Sequence, residues 1–262
     1  MSHDSGIILT IHSGAGPRSG ANLRVLVTGA GGGIGYACAR AFAEEGVDLI
    51  LSDIDAHALN LASSNLGGIG RFCDVASEAS VAIFAADVLK AHASIDVLIN
   101  AAGAGYVRNL GTMRITRAFL PMMKGDGCKK DIVNIASMGG AALRDGSRFP
   151  YAASQEAFDR LSEALTENIR GTKIALTTVV PQLQLQPNGP GHDGSLEAAI
   201  ADAQYFESYD SDRVAAAVVE VVRSNKSVPG EVASLTGPLV PKMPEDRQDA
   251  FPHEARLRRL GH

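Results

Sequence analysis

The stretch LRVLVTGAGGGIG, residues 23–35, decides the fold. Its first part, Leu23–Thr28, is a short aliphatic run, the pattern of a strand buried on both faces of a parallel sheet. Its second part places glycine at 29, 31, 32, 33 and 35, and the amphipathic pattern Ile34–Glu45 predicts a helix directly after it. Glycines at a strand-to-helix turn permit a tight reversal and let the helix pack closely on the strand. They also bring backbone N–H groups near a bound pyrophosphate. The unpaired N–H groups and positive end of the helix point at the same place. In a free loop such a cluster reads only as a turn. Between a strand and a helix it reads as a dinucleotide site, with Gly29, Gly32, Gly33, Ile34 and Gly35 as candidates.

Working outward, aliphatic runs alternate with helical patterns. Val47–Ser52, Ile95–Asn100, Asp131–Ala136 and Lys173–Val180 predict further strands. Ala56–Asn65, Ser77–Ala93, Tyr106–Met123, Tyr151–Ile169 and Ser211–Arg223 predict helices. In the helix over 77–93, Val81, Phe84, Ala85 and Val88 share one face. This alternation implies right-handed βαβ crossovers and a doubly wound α/β sheet. No repeat or linker divides residues 23–262, which read as one domain. Residues 1–22 read as a loose arm and 182–206 as a substrate loop or lid. Residues 237–262 read as an irregular C-terminal tail.

The second strand ends at Asp53, which follows the glycines at the distance where a carboxylate can accept hydrogen bonds from the adenosine ribose. The same charge repels a 2′-phosphate, so NAD is expected over NADP. The plainer role for Asp53 is to cap the helix beginning at Ala56, but Asp55 is better placed for that.

Composition excludes several other classes. The 262 residues carry 24 Lys+Arg against 29 Asp+Glu, so net charge offers no attraction to nucleic acid or an anionic membrane. No run is long enough for a membrane helix, and Ile7–Ile11 is too short for a signal-peptide core. Cys38, Cys73 and Cys128 are odd in number and widely spaced, which predicts reduced thiols in a cytoplasmic protein. The histidines show no ligand spacing, so no metal site is expected.

Four motifs taken together resemble the short-chain dehydrogenase/reductase family. They are the glycine pattern from Thr28 to Gly35, the pair Asp74-Val75, Asn100-Ala-Ala-Gly103, and Ser137 followed by Tyr151. The resemblance runs from about residue 23 to 181. It implies a single-domain Rossmann fold whose seven-stranded parallel sheet carries helices on both faces, usually assembled as a homodimer or homotetramer. It implies hydride transfer between a nicotinamide and a small alcohol or carbonyl. In that reading Asp74 meets the adenine amino group and Val75 packs on the ring. Ile54, Asn100, Ala101, Gly103 and Pro181 join the cofactor site. Tyr151 is the general acid/base, Ser137 orients the substrate oxygen, and Asn109 supports a water relay.

The chain departs from the family pattern in three places. At position 155 the family has lysine, and here it is Gln155. A cation ~4 Å from the tyrosine oxygen stabilises the phenolate by about 4 kcal/mol at an effective dielectric of 20, or roughly three pKa units. Gln155 has no charge to give, although its amide can still donate to a ribose. Second, Asn100 and Asn109 are nine positions apart, closer than the family spacing, which puts Asn109 near the start of its helix. Third, the segment after Pro181 reads Gln-Leu-Gln-Leu-Gln rather than the glycine turn of the family. The alternative to an active oxidoreductase is therefore an NAD-binding pseudoenzyme, a sensor or partner subunit.

Overall fold

A computed structural model describes residues 23–103, 105–125, 127–135, 160, 164–181, 211–223 and 232–237. The segments read as arm, lid and tail lie outside these residues, apart from Gly237. In chain order the elements are β1 (Arg24–Thr28), α1 (Gly33–Ala43), β2 (Asp48–Asp53), α2 (Ala56–Leu66), β3 (Ile69–Phe72), α3 (Glu78–Ala91) and β4 (Val97–Asn100). They continue with α4 (Gly105–Gly125), β5 (Lys130–Ile135), β6 (Ile174–Pro181), α5 (Ser211–Arg223) and β7 (Val232–Gly237). Residues 164–169 are also helical.

The strands form one seven-stranded sheet in the order β3-β2-β1-β4-β5-β6-β7. Every pairing is parallel. The order reverses between β1 and β4, which leaves a crevice at the carboxyl ends of those two strands.

Alternation along each strand sends side chains to two cores. Val25, Val27, Leu51, Ile99 and Val133 pack with Cys38 and Phe42 of α1 and Val214, Val218 and Val222 of α5. Leu26, Ile50, Leu98, Ile132 and Leu176 pack on the other face with α3 and α4. There Phe84 and Phe119 meet edge to face at 5.5 Å. Both faces are covered, which is why the strands read as continuous aliphatic runs.

The helix ends follow from local chemistry. Asp55 caps α2 by accepting from the N–H groups of His57 and Ala58, and Gly67 closes it in the left-handed conformation. Ser77 caps α3, and Val81, Phe84, Ala85 and Val88 form its buried face as the spacing predicts.

Two strands escape the sequence pattern. β3 reads IGRF with Ile69 and Phe72 exposed, because it is a short edge strand paired with β2 alone. β7 reads VASLTG, which contains no continuous aliphatic run.

At the opposite rim of the sheet, Lys130 is 1% exposed. Its Nζ donates to Ser94 Oγ and Asp96 Oδ1, both at 2.8 Å. The other oxygen of Asp96 accepts from the backbone N–H of Arg24 at 2.8 Å, which joins β1 and β5 to the segment entering β4.

Candidate functional site

The glycine loop lies where β1 ends beside β4. Gly29 has φ +72, and a Cβ there would sit 2.8 Å from the Ala102 backbone. The position therefore demands glycine for its conformation and for its closeness to the β4 loop. Gly35 is tighter: an added Cβ would lie 2.0 Å from the Gly29 carbonyl oxygen. This contact holds the first turn of α1 against the end of β1. Gly32, the residue before α1, supplies no side-chain cap. Nothing lies within 4 Å of the Cβ positions of Gly32 and Gly33, so the helix N-terminus opens onto free space. Ile34 is half-buried against the α1 core. A cradle of backbone donors with open space above it suits a pyrophosphate.

Thr28 ties the two loops of the crevice together. Its hydroxyl accepts from the backbone N–H groups of Ala101 and Ala102 at 3.2 and 3.3 Å. Asp53 does the same on the other side. Its Oδ2 accepts from Gly31 N–H at 2.8 Å and its Oδ1 from Asp55 N–H at 2.9 Å. The carboxylate thus pins the glycine loop to the end of β2. Asp55 does the capping. The N–H groups of Ala58 and His57 hold its carboxyl below the usual carboxylate value. Next to Asp53, Ile54 is 61% exposed and can offer its side chain to a flat ligand.

Asp74 and Val75 follow β3. Asp74 Oδ1 accepts from Ala76 N–H at 2.8 Å, and the Asp74 N–H donates to Ser80 Oγ at 2.9 Å. This turn fixes the carboxylate at the mouth of the crevice. Val75 is buried, and Gly111 of α4 lies so close that a Cβ there would stand 2.6 Å from Val75 Cγ2.

Asn100 sits beneath the crevice. It is buried, and its Nδ2 donates to Thr116 Oγ1 of α4 at 3.1 Å and to Asn134 Oδ1 of β5 at 2.9 Å. Beyond it Ala101 is half-buried and Gly103 is exposed. Asn109 belongs to the early part of α4. Spacing of three, four and seven places it on one helical face with the buried Thr112 and Thr116.

The structure thus gathers Gly29, Gly32, Gly33, Gly35, Asp53, Asp74, Asn100 and Gly103 at the carboxyl ends of β1 to β4. Tyr151, Ser137 and Gln155 lie outside the described residues. Of Pro181 the backbone is described, in register with Gly237. Sequence reasoning named Thr28 only as the start of the glycine pattern, and missed Thr116 and Asn134 as members of the scaffold. The Asn109, Thr112 and Thr116 spacing in α4 was the available signal. Among the described residues no cluster of His, Cys, Asp and Glu could hold a metal. Nor is any helix among them long and apolar enough to cross a membrane.

Known proteins agree with this geometry. The family model for short chain dehydrogenases matches residues 23–185. "Probable oxidoreductase EphD" of Mycobacterium tuberculosis is 28% identical over 242 residues, covering 78% of this chain and 40% of its own. The chain therefore spans less than half the length of that relative. "Oxidoreductase UcpA" of Salmonella typhimurium is 32% identical over 180 residues, covering 60% of this chain and 67% of its own. A short chain dehydrogenase/reductase from Burkholderia phymatum, solved in complex with NAD, superposes with a TM-score of 0.68 at 26% identity. That match covers 78% of this chain and 87% of the other. The chain belongs to the short-chain dehydrogenase family of oxidoreductases.

Proposed function

We propose that this protein is an NAD-dependent oxidoreductase that transfers a hydride between the nicotinamide and a secondary alcohol or ketone. The observation that carries the reading is the cradle between Gly29 and Gly35. Its backbone closes to the point where Gly35 has no room for a Cβ, and the space above Gly32 and Gly33 stays open. Asp53 supports NAD over NADP, because a carboxylate beside the glycine loop favours ribose hydroxyls and opposes a 2′-phosphate. Asp74, Val75 and Ile54 would hold the adenine. The backbone of Ala101, Gly103 and Pro181 would line the way to the nicotinamide.

The bound dinucleotide supplies hydride chemistry, and the chain supplies binding, orientation and proton movement. Tyr151 would exchange the proton of the substrate oxygen, and Ser137 would orient that oxygen by a hydrogen bond. Gln155 would donate to the ribose, and Asn109 would steady a water on the proton's path. The test is a panel of secondary alcohols with NAD, followed through absorbance of the reduced cofactor. Turnover that disappears in Tyr151→Phe supports the reading, and turnover equal to that variant's overturns it.

One residue favours a second reading. Gln155 cannot lower the tyrosine pKa as a cation does, so a chain that binds NAD without moving a hydride is the alternative. Gln155→Lys separates the two. A gain of turnover from zero identifies a disabled enzyme, and wild-type turnover removes the alternative. Homodimeric or homotetrameric assembly is the accompanying proposal, tested by light scattering on the purified chain.

A further inference from the structure

Strand register places a row of polar side chains across the sheet just below the crevice. Thr28 pairs with Asn100, Asn100 with Asn134, and Asn134 with Thr178. All four point to the face that carries α3 and α4, since Leu26, Leu98, Ile132 and Leu176, two residues earlier on the same strands, belong to that core. The four residues are buried, with Asn134 at 0% and Thr178 at 6% exposure.

The row is not self-sufficient. Asn100 Nδ2 uses its hydrogens on Thr116 and Asn134. Asn100 Oδ1, Asn134 Nδ2 and Thr178 Oγ1 are buried without a hydrogen-bond partner. Turning the amides around does not help. If Asn134 alone turns, two NH2 groups face each other. If both turn, the pair survives and the outer ends are again left over, with oxygen and nitrogen exchanged. One end of the Asn134 amide therefore faces away from Asn100 in either assignment. Thr178 is its register neighbour on that side, one strand spacing away, and does not reach it directly. Native interiors seldom leave such groups unpaired, and a polar gap between two of them is where ordered water resides.

We propose that a single buried water molecule bridges the Asn134 side-chain amide and the Thr178 hydroxyl, linking β5 to β6 within a polar row that positions the ends of β4, β5 and β6. The positions are telling. Gly103, Ser137 and Pro181 each stand three residues beyond Asn100, Asn134 and Thr178 respectively. In sequence, the row thus precedes three candidate cleft residues by the same interval. Asn134 and Thr178 are positioning residues, and their effect on ligand binding, unlike the water itself, rests on the function proposed above.

The experiment is a high-resolution crystal structure of the full chain, with solution detection of water contacts at the 15N-labelled Asn134 amide. The expected result is one water within hydrogen-bond distance of both Asn134 and Thr178. It should persist in Thr178→Ser, which keeps the hydroxyl, and disappear in the similarly shaped Thr178→Val. Thr178→Val should also weaken NAD binding severalfold, with Thr178→Ser restoring it. An empty gap, a direct Asn134–Thr178 hydrogen bond, or a water indifferent to Thr178→Val overturns the proposal. A water present as described in a chain that binds no dinucleotide leaves the site standing and removes the proposed function instead.

Discussion

Among the described glycines, Gly35 has the least room for a side chain. Any side chain there collides with the Gly29 carbonyl, which is backbone and cannot turn aside. Gly35→Ala is expected to cost at least about 2 kcal/mol of stability, because the β1–α1 junction must open. Urea unfolding followed by circular dichroism measures it. Asp55 illustrates a pH effect. Its carboxyl is held low in the folded chain by the Ala58 and His57 N–H groups, so its stabilisation is present above the unfolded carboxylate range. It is lost as pH falls through the lower, folded value. The stability difference between wild type and Asp55→Ala should be largest at neutral pH and shrink below about pH 4. The cysteines give a third test. Burial pushes the Cys38 thiol up to about 12 and raises Cys73, whereas Cys128 is exposed. A thiol reagent at pH 8 should modify one cysteine quickly in the native protein and all three after unfolding. At this scale the division of labour between Asp53 and Asp55 was legible, because cap chemistry is local. The bond from Gly31 to Asp53 was not, since it depends on how two loops distant in sequence approach.

Elements succeed or fail to announce themselves according to what covers them. β1, β2, β4 and β5 are buried on both faces and read directly as aliphatic runs. β3 has mostly exposed side chains and a glycine, so periodicity had nothing to detect. α3 was legible down to its cap and its buried face, because Ser77 and the apolar spacing are both local signals. The start of β5 was not. Lys130 is charged, yet it is the first residue of a buried strand. Its partners Ser94 and Asp96 lie 36 and 34 residues away, beyond the reach of any local pattern. Lys130→Ala removes the cation paired with the Asp96 carboxylate and leaves a cavity, and should cost on the order of 3 kcal/mol in chemical denaturation. Lys130→Met fills the volume and should cost less.

At the scale of the whole molecule, the sheet order sets what the protein can bind. The reversal between β1 and β4 opens the crevice, and parallel strands deliver all their carboxyl ends to it. The gathering of the candidate-site motifs at one end of the sheet follows from this arrangement, and the motifs themselves were legible. The glycines, Asp53, Asp74 and Asn100 stand at strand ends, where the backbone does the positioning. The scaffold row beneath the crevice was not legible, because Asn100, Thr116 and Asn134 meet only once two strands and a helix are packed. The most direct test is calorimetric titration of the full chain with NAD and with NADP. Saturable NAD binding in the micromolar range is the expected result. NADP binding should be weaker by at least about tenfold, or ~1.4 kcal/mol, with the gap narrowing in Asp53→Ser. A folded protein that takes up neither dinucleotide at millimolar concentration would contradict the proposed function.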